Sequence, residues 1–533
     1  MDASVIRSAK SVTQLKPRPG LGLDFVPFLV TGDPSLPNWV SDIDALVDVK
    51  PLLSQSATSG AVILIQRSDR VFALAYGTGY HAVEGSVIEP GFGLKVAAGL
   101  IAERRVRGAQ TRGVAGNSKD QRTMLPSDGS FTDLDVAIDE DWLRQISGRT
   151  EAGKVASSAS GADSLRLTLP EFLLTGIGAK LDEVLSLYNT EAFRANFPFL
   201  DQITPLPAKD PRISRLDDAL DKRIRAGKGD FGFAAPDPFD VNENHFDHYE
   251  IALGRPLGRF EIDDLDAEEL VQLLQQMSSS KSPLHDVDVW ALDSEGKAVD
   301  RRRAMKAYLV AEQSLDGDNY LLTAGLWFVV SVDFAAQIDA AVARISDISD
   351  DLALPEWDTE ALRKADDDPT VEGSYNKFLH RESGYALLDK ELAQFGPFSR
   401  LEVADLLTPA GELLCVKSAS KSSALSHLVA QAVNSSAAWG SEPHQKVLQS
   451  AWKSLPGNES DTLARGDAKY VLAIATSKPG PLHDSLFFFT KVLLANGIRS
   501  MSGSQIEVVS AKIPMKVVPA KPKPRKKRTV KFK

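Results

Sequence analysis

Between Glu372 and Gln431 the chain carries three carboxylates (Glu372, Asp389, Asp405), an ammonium (Lys417) and an amide (Gln431), in the order that a metal-dependent nuclease core needs. Carboxylate oxygens are hard ligands suited to Mg²⁺, and a lysine beside them can orient or activate an attacking water. Each of these residues also has a plainer use. Asp389 can cap a turn, Lys417 can end a strand, and Ser422-Ser423 can start a helix as an N-cap. His427 lies on the same helical face as Gln431, where it serves either as a general base or as a hydrogen-bonded structural group. No spacing supports a Ser-His-Asp arrangement, and Gly-x-Ser-x-Gly is absent.

The elements that must position these groups are legible in outline. VEGSYNKFLHRES reads as a helix bearing Glu372, three short strands bear Asp389, Asp405 and Lys417, a helix bears Gln431, and YVLAIATS reads as a further strand. Strict alternation along LEVADLL puts Leu401, Val403 and Asp405 on one face and Glu402 on the other, which makes Glu402 the poorer candidate to share a metal with Asp405.

At 533 residues the chain exceeds one hydrophobic core and predicts several domains; 43% hydrophobic and 25% charged residues are ordinary for globular proteins. No apolar run is long enough to span a bilayer, and the N-terminal residues lack the apolar core of a signal peptide, so a cytoplasmic protein without membrane contact is expected. The single cysteine, Cys415, excludes an internal disulfide and any multi-cysteine zinc site. The net charge of −11 conceals a basic end: the last 18 residues hold nine Lys or Arg, so the remainder carries −11 − 9 = −20. Lys521, Lys523, Arg525, Lys526, Lys527 and Arg528 form a like-charged, proline-bearing tail suited to the phosphate backbone of DNA or RNA, or to plain solubilisation.

In chain order, residues 1–20 read as a flexible leader and 21–250 as an N-terminal α+β domain. GAVILIQRSDRVFALAY predicts a hairpin around Ser68-Asp69. A helix is expected from about Phe92 to Glu103; the glycines before it fit neither phosphate-binding spacing. Residues 108–162 read as long loops around one short helix in LDVAIDEDWLRQIS, followed by a strand in SLRLTL and an amphipathic helix facing inward with Leu181, Val184, Leu185 and Tyr188. His245 and His248, with Asp237, Asp240, Glu243 and Asp247, offer an imidazole and carboxylate set for zinc or iron in a segment that otherwise reads as a solvated loop. A β-rich middle segment over 251–350 contains a meander turning at Asp316-Gly317-Asp318. An acidic linker then leads into a C-terminal α/β domain over 355–515, and 516–533 reads as the basic disordered tail.

VFALAYGTGYH, FGLKVA, ADSLRL, NFPFLDQI, LVAEQSL with YLLTAGLWFVV, and EGSYN through SSALSHLVAQAVNS resemble a sporadically distributed family of large bacterial proteins of unknown function. Patchy distribution of that kind implies mobile genes, including those of phage defence. The stretch from Glu372 to Gln431 resembles in outline the PD-(D/E)XK nuclease superfamily, which implies a restriction-endonuclease-like αβββαβ core. On that mapping Asp405 is the principal Mg²⁺ ligand, Lys417 the catalytic lysine, Glu372 and Asp389 further metal ligands, and Gln431 a group orienting the site or a phosphate. The separation of Asp405 and Lys417 permits strand, turn at Thr408-Pro409-Ala410-Gly411, and return strand. Cys415 stands where that superfamily has a second acid, so Glu372, Asp389 or Glu402 completes the site or cleavage is lost. Three functions follow as expectations: a Mg²⁺-dependent nuclease, a nucleic-acid-binding protein with an inactive nuclease fold, or a metal-independent base-processing enzyme such as a glycosylase, where one carboxylate suffices. Association with further copies of the chain is compatible with each.

Overall fold

The computed structural model describes residues 5–6, 11–18, 23–36, 40, 55–113, 120–134, 136, 141–151, 155–226, 231–236, 246–263, 265, 267–278, 280–365, 367–394, 400–419, 422–458 and 461–516. The fold is mixed α+β with several sheets. No helix among these residues is long and apolar enough to cross a membrane.

The C-terminal half is built on a six-stranded mixed sheet in the order Trp357–Asp358, Glu507–Lys516, Lys469–Thr476, Glu412–Ser418, Leu406–Leu407, Ala386–Leu387. The first four strands are parallel, Leu406–Leu407 runs antiparallel to them, and Ala386–Leu387 runs antiparallel to Leu406–Leu407. The apolar run YVLAIAT is buried on both faces, as a central parallel strand requires. Parallel neighbours need long crossovers, and the helices Ser422–Ala438, Glu442–Lys453 and Phe488–Met501 supply them. The helix Val371–Ser383 is capped by Thr370, whose hydroxyl accepts from Gly373 N at 3.0 Å, and ends at Gly384 with φ of 68°. Tyr375 and Leu379 of this helix pack with Leu414, Val416 and Val471 on one face of the sheet. Leu425, Leu428 and Ala432 pack with Leu413, Cys415 and Leu472 on the other.

The segment expected to be an acidic linker is instead part of this unit. Trp357 is buried and stacks on Tyr375 at 4.7 Å between ring centres, and its short strand extends the sheet beside Glu507–Lys516. Of the segment's acids, Asp368 is buried and paired with Lys377 and Lys390.

The middle meander, Leu309–Leu315, Asp318–Thr323 and Leu326–Val330, is flanked by Ile203–Pro205 and Phe231–Phe233 in a five-stranded sheet. Asp316 and Gly317, at φ 55° and 95°, make the two-residue turn its sequence predicts. The meander packs on both neighbours: Val310, Leu321, Phe328 and Val330 join the C-terminal core, while Leu309, Ala311 and Leu322 join a core around Leu216 and Leu220. Glu312 also accepts hydrogen bonds from Phe488 N and, at 3.1 Å, Phe489 N, closing the start of the helix Phe488–Met501.

The predicted N-terminal hairpin is present as Ser59–Arg67 and Arg70–Gly77 within a four-stranded sheet. The strand Leu165–Thr168 and the helix Ile177–Asn189, with Leu181, Val184 and Leu185 buried, also form as expected. The loop-rich reading of residues 108–162 is wrong. Ile101–Gly113, Asp120–Gly129, Asp141–Thr150, Ser158–Gly161 and Leu165–Thr168 make a five-stranded antiparallel sheet. The helix expected over Leu134–Ser147 is largely replaced by the strand Asp141–Thr150. Gln110 pairs with Gln145 but Thr111 pairs with Leu143, so Arg144 is an extra residue in a β-bulge. That bulge turns both Leu143 and Ile146 into the core, and their three-residue spacing imitates a helical face. The helix beginning at Phe92 ends at Leu100, and the chain passes directly into a strand.

Candidate metal site at the end of the C-terminal sheet

Asp405 lies just before the strand Leu406–Leu407 and is 2% exposed. Its Oδ2 accepts from Val416 N at 2.7 Å, a bond that fixes the carboxylate against the strand bearing Lys417. Its backbone carbonyl accepts from Leu388 N at 2.8 Å and Asp389 N at 2.9 Å, so the turn after Ala386–Leu387 is tied to the same point. Lys390, at φ 68°, donates its backbone N–H to Glu402 Oε1 at 2.8 Å. Carboxylate oxygens of Asp389, Glu402 and Asp405 consequently lie within 4.8 Å of one another.

Glu402 therefore belongs to the site, contrary to the strict-alternation reading. It ends the strand Arg400–Glu402, which pairs with Leu392–Gln394 in a separate two-stranded ribbon. The chain leaves that ribbon at Glu402 and enters the main sheet at Leu406. Val403 and Ala404 between them are both fully buried, so the period of two fails there.

Lys417, on Glu412–Ser418, is ion-paired with Glu372 of the helix Val371–Ser383. Glu372 thus serves the lysine and is not one of the three clustered acids. Gln431 is carried by the helix on the opposite face of the sheet from Glu372; its side-chain nitrogen is buried without a hydrogen-bond partner. Cys415 is fully buried in the apolar core, where burial and then the charge of Asp405 push its thiol well above the ordinary range. It is no nucleophile at neutral pH. His427 is exposed, and His248 bonds Asp247 through Nδ1 at 2.9 Å on the strand Phe246–Gly254. Asp237, Asp240, Glu243 and His245 lie outside the described residues, as do the tail residues Lys521, Lys523, Arg525, Lys526, Lys527 and Arg528.

Burial pushes the Asp405 carboxyl up to about 8, outweighing the Val416 hydrogen bond, and the charges of Glu402 and Glu372 add to the rise. Glu402 is raised for the same first reason, with Asp389 and Glu372 contributing. Burial opposes the charge on Lys417, but its hydrogen bond to Glu372 and the surrounding acids hold it above its ordinary value. Crowded carboxylates of this kind store protons that a bound cation can replace.

Residues 7–514 match a family of unknown function, DUF6119. The chain belongs to that family. No curated protein and no solved structure matches it. Membership covers nearly the whole chain, so the acid cluster, the meander and the N-terminal sheets all fall inside the family's span.

Proposed function

We propose that the chain is a divalent-metal-dependent nuclease whose site is Asp389, Glu402 and Asp405 with Lys417. The observation that carries this reading is the convergence of the three carboxylates beside a lysine at the end of a mixed sheet. Within the main sheet the order helix, three strands, two helices, strand, with the ribbon Leu392–Gln394 and Arg400–Glu402 inserted after the first strand, supports a restriction-endonuclease-like core. Glu402, reaching in from the neighbouring ribbon, takes the part of the acid that Cys415 replaces. A role in a phage-defence-like bacterial system belongs to the same proposal.

The donor set fits Mg²⁺. Oxygens bound to one such ion at 2.0–2.1 Å lie at most about 4.2 Å apart, so small side-chain movements within the 4.8 Å cluster suffice. A bound ion would polarise a phosphodiester and lower the pKa of a water. Asp405 would be a ligand in its deprotonated form, its carboxylate oriented by the Val416 N–H. Glu402 is held from behind by the Lys390 backbone, leaving its second oxygen for the cation. Glu372 holds the Lys417 ammonium near the acids, where it can orient water or balance a phosphate.

Cleavage of duplex DNA, single-stranded DNA and RNA, assayed with Mg²⁺, Mn²⁺ or EDTA, tests the reading. Metal-dependent cleavage should fall by at least about 10²-fold in Asp405→Ala, Glu402→Gln and Lys417→Ala, the size typical for lost charge-positioning groups. Unchanged cleavage in all three variants sinks it, and activity in EDTA that leaves abasic sites points to base removal instead. A second reading, a nuclease-fold binder that does not cut, is favoured by the closed Lys417–Glu372 pair. It requires salt-sensitive nucleic-acid binding with no turnover in either metal.

A further inference from the structure

A cleft separate from the acid cluster lies in the N-terminal half. It measures about 590 Å³ and opens where the five-stranded N-terminal sheet meets the strand Ile203–Pro205 of the meander sheet. That volume is in the usual range for small-molecule sites, and a seam between two sheets is a common place for one. Trp142, Tyr188 and Phe199 contribute aromatic walls. They are held by other rings: Trp142 meets Phe328 at 4.6 Å, Tyr188 meets Phe92 at 4.9 Å, and Phe199 meets Phe131 at 5.1 Å between centres.

The polar groups of the cleft are unequally engaged. Glu89 accepts from Tyr188 Oη and pairs with Arg70, and Asp163 accepts from Gly91 N at 2.8 Å. Gln202 differs. Its backbone is fixed by accepting from Ser331 N at 2.8 Å, yet its buried side-chain oxygen has no hydrogen-bond partner. An orphaned buried acceptor is costly, and a rotation of the amide would bring it to a ligand donor in the cleft that Gln202 lines. Lys95 and Lys209 line the same cleft; Lys209 is exposed, and Lys95 stands 3.6 Å from Asp201.

We infer that this cleft binds a nucleotide, with the base between the aromatic walls, a base N–H donated to Gln202 Oε1, and the phosphate met by Lys209 and Lys95. Flat heteroaromatic rings stack on such walls whatever the base, and the amide of Gln202 presents the hydrogen-bonding edge that selects among bases. A free mononucleotide and one unit of a single strand share this chemistry.

Calorimetric titration of the full chain with AMP, GMP, CMP and UMP, with the matching nucleosides, and with a short single-stranded oligonucleotide tests the site. At least one mononucleotide should bind, and its nucleoside about tenfold more weakly, the loss expected for a charge-assisted contact. Tighter binding of the oligonucleotide identifies a strand as the source, and binding of the mononucleotide alone identifies a free nucleotide. Lys209→Glu should weaken binding about tenfold or more. Gln202→Leu should leave thermal stability unchanged or raised, because the orphaned acceptor is gone, while reducing discrimination among the four bases. Absence of any binding at millimolar ligand overturns the inference, as does binding that neither variant alters. Neither result bears on cleavage at Asp405.

Discussion

Two buried aspartates, Asp217 and Asp405, show how the same side chain can serve opposite ends. Asp217, on the helix Pro211–Ala226, accepts from Trp327 Nε1 at 2.7 Å and Lys306 Nζ at 2.8 Å, and it meets His285 Nε2 at 3.0 Å. Its two oxygens are satisfied by donors from three other parts of the chain, and it ties the middle of the molecule together. Asp405 is still more buried, yet its neighbours are carboxylates, and Val416 N–H is the one donor described for its side chain. A fully donated carboxylate is a rivet. One crowded by other acids holds its proton instead.

The comparison breaks most visibly on removing each group. Asp217→Ala should lower unfolding stability by about 3–5 kcal/mol, because it strands the Lys306 charge and the Trp327 N–H, as read by chemical denaturation. Asp405→Asn should act in the opposite direction. The folded carboxyl is raised to about 8, so the folded form holds its proton more tightly than the unfolded chain does. The associated stability is complete below pH 4 and is lost as pH rises through 8. Asparagine cannot ionise, so the variant should gain on the parent as pH rises from 4 to 9, by on the order of 5 kcal/mol at the top of that range.

Cation binding sharpens the contrast further. Mn²⁺ must displace the Asp405 proton, so its affinity should rise by up to about tenfold per pH unit from 6 to 8 and level off above. Asp217→Asn should leave that profile in place, whereas Asp405→Asn should flatten it. The smallest effect should come from Lys390→Ala. Its side chain is 62% exposed and bonds Asp368 at 2.6 Å, an acid that Lys377 also holds at 3.1 Å, so stability should change by less than about 1 kcal/mol.

Much of the C-terminal arrangement was legible because its apolar runs are long and unambiguous. YVLAIAT and ELLCV can only be buried strands, and the intervening SSALSHLVAQAV carries a helical period. Asp405 was visible as a carboxylate between such runs. Glu402 was not, because alternation holds only while the backbone stays extended, and the passage from ribbon to sheet through Val403 and Ala404 resets the phase. LDVAIDEDWLRQIS shows the converse: a single bulged residue, Arg144, gives a strand in which Leu143 and Ile146 are both buried the spacing of a helix. Trp357 misled because one buried ring anchors a segment whose composition is otherwise that of a linker. In each case a tertiary contact overrode a local pattern that was correctly read.

Glu312 carries a consequence for how the chain is made. Its partners, the amides of Phe488 and Phe489, lie 176 and 177 residues further along. At about 5–20 residues per second of synthesis, the meander waits on the order of 10–35 s for the helix it caps. During that interval Phe328, Val330 and Phe334 lack the C-terminal side chains that later bury them. The nascent protein therefore presents an apolar sheet face, a surface for a chaperone to shelter until the last helix arrives.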